Sequence, residues 1–159
     1  MLPLELRQFN LCANYLSHVP VCVMSAHLVK LEKLDLSQNQ LAVVPIEIAN
    51  LKQLTELNLD DNVIISLPGA IGLLTKLKVL SLRNNRIAYS DKSSQQQPLP
   101  ASLFSQTPLI DLNLHGNPLT VKELNAMDGF DKYLERRQQV KTSALMGGAL
   151  TNLDVCGLE

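Results

Sequence analysis

Apolar residues along this chain recur in one phrase, written five times. It runs Leu6-x-x-Phe9-x-Leu11-x-x-Asn14-x-Leu16 and returns at Leu31–Leu41, Leu54–Ile64, Leu77–Ile87 and Leu109–Leu119. Inside each phrase apolar and polar residues alternate, as in Lys33-Leu34-Asp35-Leu36-Ser37. A period of two predicts a short strand with Leu34 and Leu36 inward and the polar residues outward. A second pattern follows: Val19-Pro20, Val44-Pro45, Leu67-Pro68 and Leu99-Pro100, with Val23, Ile48, Ile71 and Leu103 three positions after the proline. Proline fixes φ and lacks an N–H, which suits the start of a short helical or 3-10 segment. Val23, Ile48, Ile71 and Leu103 then point inward beside Leu28, Leu51 and Leu74.

The step from Leu31 to Leu54, and again to Leu77, is 23 residues (54 − 31 and 77 − 54). A Leu-x-x-Leu-x-Leu-x-x-Asn-x-Leu phrase at that period is the signature of a leucine-rich repeat. The expected fold is therefore α/β, a right-handed solenoid. Its curved parallel sheet lines the concave face, and short helical or 3-10 segments line the convex face. Because those segments are wider than the strand spacing, the stack bends toward the sheet. Asn14, Asn39, Asn62, Asn85 and Asn117 each close a phrase. Their amides are expected to satisfy backbone groups in the loops of their own and the adjacent repeat. They are scaffold, not chemistry.

Two steps depart from the period. The first is 25 residues (31 − 6), with the extra length around Met24–His27; the fourth is 32 (109 − 77), with the excess in Ala88–Pro98. Ser90 to Pro98 is polar and low in complexity, which predicts a solvent loop. Ser93 and Ser94 are candidate phosphorylation sites there. After Asn117, Thr120-Val121-Lys122-Glu123 reads as a capping box opening a helix. A second helix is expected from near Asp128, with Phe130, Tyr133, Leu134 and Val140 on one apolar face. Together they form a cap over the last aliphatic layer. Arg136 and Arg137 fit a solvated face near a helix C-terminus. The expected organisation is repeats over 1–119 with an insert at about 88–98, a helical cap over 120–141, and a loose tail over 142–159. The N-terminus shows no comparable cap. Leu2-Pro3 looks like the remnant of a proline phrase, which fits a chain that begins inside a longer solenoid.

Composition narrows the function. The 159 residues are 46% hydrophobic but 4% aromatic, so the core must be Leu, Ile and Val. Fourteen Lys and Arg balance fifteen Asp and Glu, a net charge of −1, which argues against nucleic acid or a polybasic membrane contact. No apolar run approaches the ~18 residues of a spanning helix. The first residues lack a basic, then apolar, secretory pattern, and no glycine follows Met1. Cys12, Cys22 and Cys156 have neither C-x-x-C nor metal spacing, and no Cys-rich caps flank the repeats. A reducing, cytoplasmic compartment and no cofactor are the expectation.

The Leu-Pro form of the repeat resembles the small intracellular leucine-rich repeat proteins of the Ras-group-related plant and protist type. The family of leucine-rich repeat-containing protein fifty-seven is similar. The likeness runs from Leu6 to about Lys141. It is strongest where Asn117-Pro118-Leu119 leads into Met127-Asp128-Gly129-Phe130 and Arg136-Arg137. The abrupt start and the Ser/Gln insert depart from that pattern. The resemblance implies a non-enzymatic cytoplasmic interaction module linked to small-GTPase signalling or scaffolding.

A partner would meet the concave strand residues, which fall into columns. The first is Gln8, Lys33, Glu56, Val79 and Asp111; the second is Asn10, Asp35, Asn58, Ser81 and Asn113; the third is Cys12, Ser37, Asp60, Arg83 and His115. The candidate protein-binding residues are Lys33, Asp35, Glu56, Asn58, Asp60, Asp61, Arg83, Asn113 and His115. An acidic centre beside an arginine suits a basic or mixed-charge protein, and electrostatics would set on-rate and specificity. The module is expected to act as a monomer. Reversing Asp35 and Asp60 to Arg is expected to abolish binding and spare the fold. A regulatory adaptor for a phosphatase or a ubiquitin-pathway enzyme would use the same face. A hydrolase would have to pair His115 with Asp60 or Asp111. No nucleophile phrase, phosphate-cradling loop or metal spacing supports that. Cys12 shares the column of His115, but three strands lie between them, too far for a dyad at roughly 4.8 Å per strand.

Overall fold

A computed structural model describes residues 3–89 and 97–145 of the chain, with side chains through residue 142. Five strands, β1 (Gln8–Asn10), β2 (Lys33–Asp35), β3 (Glu56–Asn58), β4 (Val79–Ser81) and β5 (Asp111–Asn113), form one parallel sheet in chain order. Each unit registers on the next without slip, so Phe9, Leu34, Leu57, Leu80 and Leu112 make one inward row. The strands are short, yet the ladder continues beyond them. The N–H groups of Ala13, Gln38, Asp61 and Asn84 donate to the carbonyls of Ser37, Asp60, Arg83 and His115 at 2.8–3.0 Å.

The proline pattern has a local cause. In each of the first four units the residue three after proline donates its N–H to the proline carbonyl: Val23 to Pro20, Ile48 to Pro45, Ile71 to Pro68 and Leu103 to Pro100. That tight turn swings Val23, Ile48, Ile71 and Leu103 into the core, where none is exposed to solvent. The convex segments lengthen along the chain. The first unit has turns alone, the next two have 3-10 helices (Ile46–Asn50 and Gly69–Leu73), and the fourth has α1 (Ala101–Gln106). Gly72 is where α1 crowds its neighbour, since a Cβ there would lie 2.4 Å from Cβ of Ser102.

The asparagine ladder behaves as expected from Asn39 onward. Asn62 Nδ2 donates to the carbonyls of Leu59 and Asp60 in its own unit and of Leu36 in the unit before; its Oδ1 accepts from Leu41 N–H at 2.9 Å. Asn39, Asn85 and Asn117 repeat the arrangement. The residue before each ladder asparagine is left-handed: Ala13, Gln38, Asp61, Asn84 and Gly116, with φ from 51° to 75°. This reversal turns the chain out of the strand.

At the C-terminal end, α2 (Val121–Asn125) opens on the capping box of Thr120 and Glu123. Gly129, at φ 80°, then redirects the chain into α3 (Phe130–Leu145), whose first residue follows the expected start near Asp128. The aromatic residues of the cap cluster together, with Phe104 edge-on to Phe130 at 5.3 Å and Tyr133 5.4 Å from Phe130. Helix α3 runs past Lys141 to Leu145, into the stretch expected to be tail. Residues 146–159 lie outside the described part of the chain.

Two expectations are corrected here. Val140 is exposed, because the buried stripe of α3 stops after its first two turns. Arg136 does not lie on a solvated face. Its Nη2 donates to the carbonyl of Phe104 at 2.6 Å and its Nε to that of Leu109 at 3.3 Å, tying α3 to α1 and to the approach of β5. Burial there pushes its pKa down. Residues 90–96 of the insert lie outside the described part of the chain, and the described residues on either side of them are held. Tyr89 packs half-buried on the core, Pro98 is buried, and Gln97 exchanges two hydrogen bonds with Asp128 of the cap. Burial first, then the charges of Glu123 and Asp128, raise the Tyr89 phenol above its ordinary pKa. Ser93 and Ser94 lie outside the described residues.

Candidate functional site

The concave face carries a depression of about 480 Å³ spanning β1 to β4. Its lining includes Lys33, Asp35, Glu56, Asn58 and Asp60 of the candidate residues, together with Gln8, Asn10, Val79 and Ser81. Asp61, Arg83, Asn113 and His115 lie outside it. The sheet therefore gathers five of the nine candidates into one place and leaves four along its C-terminal side.

The columns divide by task. In the first, Lys33 Nζ and Glu56 Oε1 form an ion pair at 2.7 Å, with both side chains more than a third exposed. Such a pair stabilises little on its own and leaves both charges accessible. The second column does backbone work. Asn10, Asp35, Asn58 and Asn113 each accept, through Oδ1, the N–H of the residue two further on, at 2.8–3.1 Å. These local turns cap the end of each strand, where a backbone donor would otherwise be unpaired.

Ser81 breaks the column, being too short for that bond. Asp60 takes its place from the adjacent strand. Its Oδ1 accepts Arg83 N–H at 2.7 Å and the Ser81 hydroxyl at 2.6 Å. Asp60 is thus an inter-strand clamp as well as a charge, which sequence columns could not reveal. Asp35 likewise accepts the Ser37 hydroxyl at 2.6 Å, and Ser37 is buried, against the outward placement expected for it. The expectation that reversing Asp35 and Asp60 spares the fold is corrected accordingly, since either change removes a strand-end acceptor. Asp61, left-handed and exposed, accepts from Asn84 Nδ2 at 2.8 Å. Arg83 and His115 are exposed at their strand ends.

Among the described residues, no group of three or more His, Cys, Asp or Glu is placed to hold a metal ion. No helix among them is long and apolar enough to cross a membrane. Of the two carboxylates suggested for an acid–base pair with His115, Asp60 and Asp111, that of Asp60 has Oδ1 engaged by Ser81 and Arg83.

A stacked parallel sheet whose concave residues divide between scaffold and exposed charge defines a repeat solenoid. The leucine rich repeat family model matches residues 5–64 and 29–87, and the chain belongs to that family. No curated protein matches it. Among solved structures, a leucine-rich repeat protein of Leptospira interrogans is similar, with 28% identity and a TM-score of 0.55 over 71% of this chain. The matched region covers 32% of that protein, so this chain spans about a third of its length. Proteins of the family generally mediate protein–protein interaction.

Proposed function

We propose that this chain is a non-catalytic protein-binding module that receives its partner in the concave depression across β1 to β4. The observation that carries this is the first column. Gln8, Lys33, Glu56 and Val79 line the depression, and none of their side chains caps a strand end, unlike the second column beside them. Lys33 and Glu56 offer one charge of each sign, with the carboxylates of Asp35 and Asp60 behind them. A mixed-charge protein surface carrying an excess of basic groups complements that arrangement. Arg83, Asn113 and His115 would extend the contact toward β5, and Asp61 would border it. Small-GTPase-linked signalling is the setting suggested by the resemblance in the repeats. An adaptor for a phosphatase or a ubiquitin-pathway enzyme would use the same face, and the client distinguishes them.

The test replaces Glu56 and Val79 by Arg together, which fills the depression with like charge and leaves the strand-end bonds alone. Affinity purification with mass spectrometry should lose the partner recovered by the wild type. The thermal midpoint should fall by no more than about 4 °C, since both residues are half-buried and their side chains hold no strand-end bond. Equal recovery of the same partner by the folded double variant would place binding elsewhere.

A further inference from the structure

At each internal junction of the solenoid one leucine N–H donates to the unit that follows: Leu11 to Asp35 O, Leu36 to Asn58 O, Leu59 to Ser81 O and Leu82 to Asn113 O. Two residues on, Ala13, Gln38, Asp61 and Asn84 do the same. In return, the carbonyls of Arg7, Glu32, Thr55 and Lys78 each accept two N–H groups from the following unit. The counterparts in the unit of β5 are Leu114 N–H, Gly116 N–H and Ile110 O. Among the described residues none of these three groups has a hydrogen-bond partner. Leu114 is nonetheless 0% exposed, and a buried N–H is rarely left unpaired. The cap helices do not supply the partner, since α2 packs on α3 and α3 on α1, while β5 packs on β4.

We propose that residues 150–157 of this chain occupy that edge as a sixth parallel strand. Leu150-Thr151-Asn152-Leu153-Asp154-Val155-Cys156-Gly157 rewrites the phrase of Leu54-Thr55-Glu56-Leu57-Asn58-Leu59-Asp60-Asp61, 41 residues (150 − 109) after the phrase of β5. Leu150, Leu153 and Val155 fall on the inward rows. Asp154 falls in the column where Asn10, Asp35, Asn58 and Asn113 close their strand ends. Gly157 falls in the left-handed column of Asp61 and Gly116, a conformation glycine adopts freely. Leu158 stands where the ladder asparagine would, and both tasks of that asparagine are already filled. Leu119 N–H is held by Ile87 O, and Leu114 O by the Asn117 amide. In this register Leu114 N–H donates to Asp154 O and Gly116 N–H to Cys156 O, while Ile110 O accepts from Thr151 and Asn152. The connection reaches. The Arg136 guanidinium touches Leu109 O, and α3 ends at Leu145, about 14 Å further along its axis (145 − 136 residues at about 1.5 Å each). Five more residues span up to about 17 Å, enough to return Leu150 to the side of Leu109. A helical crossover of this kind is what parallel neighbours require. Asn152, Asp154 and Cys156 then extend the three concave columns past Asp111, Asn113 and His115, and the binding face spans six strands.

The test compares the full chain with its Leu153→Asp, Val155→Asp double variant by nuclear magnetic resonance. Amide exchange at Leu114 and Gly116 should be at least about tenfold slower in the wild type, with Leu59 and Asp61 exchanging alike in both proteins. Overhauser contacts should join the side chains of Leu112 and Leu153 in the wild type. Equal exchange of Leu114 and Gly116 in the two proteins overturns the proposal. So does wild-type protection that fades on dilution, because the strand would then come from a second copy. A cross-link tests the register without weakening the strand. His115→Cys sets a thiol one strand spacing, roughly 4.8 Å, from Cys156, within the range that a disulfide closes. Mild oxidation should join positions 115 and 156 within one chain, read by peptide mass mapping. Linkage of Cys156 to Cys12 or Cys22 in its place overturns the proposal.

Discussion

The first and last layers of this solenoid are built from the same positions of the same phrase, and they do not share the same fate. Leu109, Leu112, Leu114 and Leu119 are at most 2% exposed, beneath a cap in which Leu124, Phe130 and Tyr133 are equally buried. Leu6, Phe9, Leu11 and Leu16 occupy the equivalent sites in the first unit and remain partly in solvent. A repeat residue is buried by its neighbours on both sides, so its contribution depends on where in the stack it sits. The ladder asparagines follow the same rule. Asn62 is 6% exposed and bridges two units, while Asn14 is exposed and, among the described residues, its side chain makes one donation, within its own turn.

Substitutions at matched positions can break this comparison. The largest effect is expected at the cap, where Tyr133→Ala opens a cavity in the aromatic cluster and should cost about 3–5 kcal/mol. Phe9→Ala, half-solvated already, should cost about 1–2 kcal/mol. Urea unfolding of both variants measures the difference, and equal losses would mean that the N-terminal layer is covered in solution. Next comes the ladder. Asn62→Ala leaves Leu41 N–H without its acceptor and removes one of the two amide donors to each of Leu36 O and Leu59 O; it should cost about 1–3 kcal/mol, against less than about 0.5 kcal/mol for Asn14→Ala. The smallest contrast lies in the left-handed column. Gly116→Ala places a Cβ at φ 75°, 2.2 Å from Asn84 Oδ1 unless that side chain moves, and should cost about 1–2 kcal/mol. Ala13→Gly, at φ 60°, relieves strain but loosens the unfolded chain, so a net change within about 0.5 kcal/mol is expected. Thermal unfolding of the pair would reveal whether the first unit holds that turn as firmly as the last.

Much of the candidate site was legible in the sequence, because a strand period of two assigns outward residues by counting. The limit lay in what those residues do once they are outward. Asp35, Asn58 and Asn113 look like surface groups in the phrase, yet each closes its own strand end. The run Asn10, Asp35, Asn58, Ser81, Asn113 did hold a signal, since Asn and Asp favour turns of this kind. The single serine at 81 was the clue that another residue must supply the missing acceptor. That this residue is Asp60 depends on the register between β3 and β4, which no single phrase contains.

Local periodicity is enough to set the architecture: the number of strands, their order, the inward rows, the asparagine bridges and the proline turns. All of these follow from local periodicity, because each unit repeats one solution to burying an aliphatic face. Only the tertiary structure decided which residues of that pattern were isolated and which were tied. It pulled Arg136 from a helix surface onto the carbonyls of Phe104 and Leu109, and anchored the insert through Gln97 and Asp128. Hydrogen bonds between segments far apart in the chain depend on distances that side-chain periodicity does not encode, and at the ends of a repeating stack periodicity no longer says what comes next.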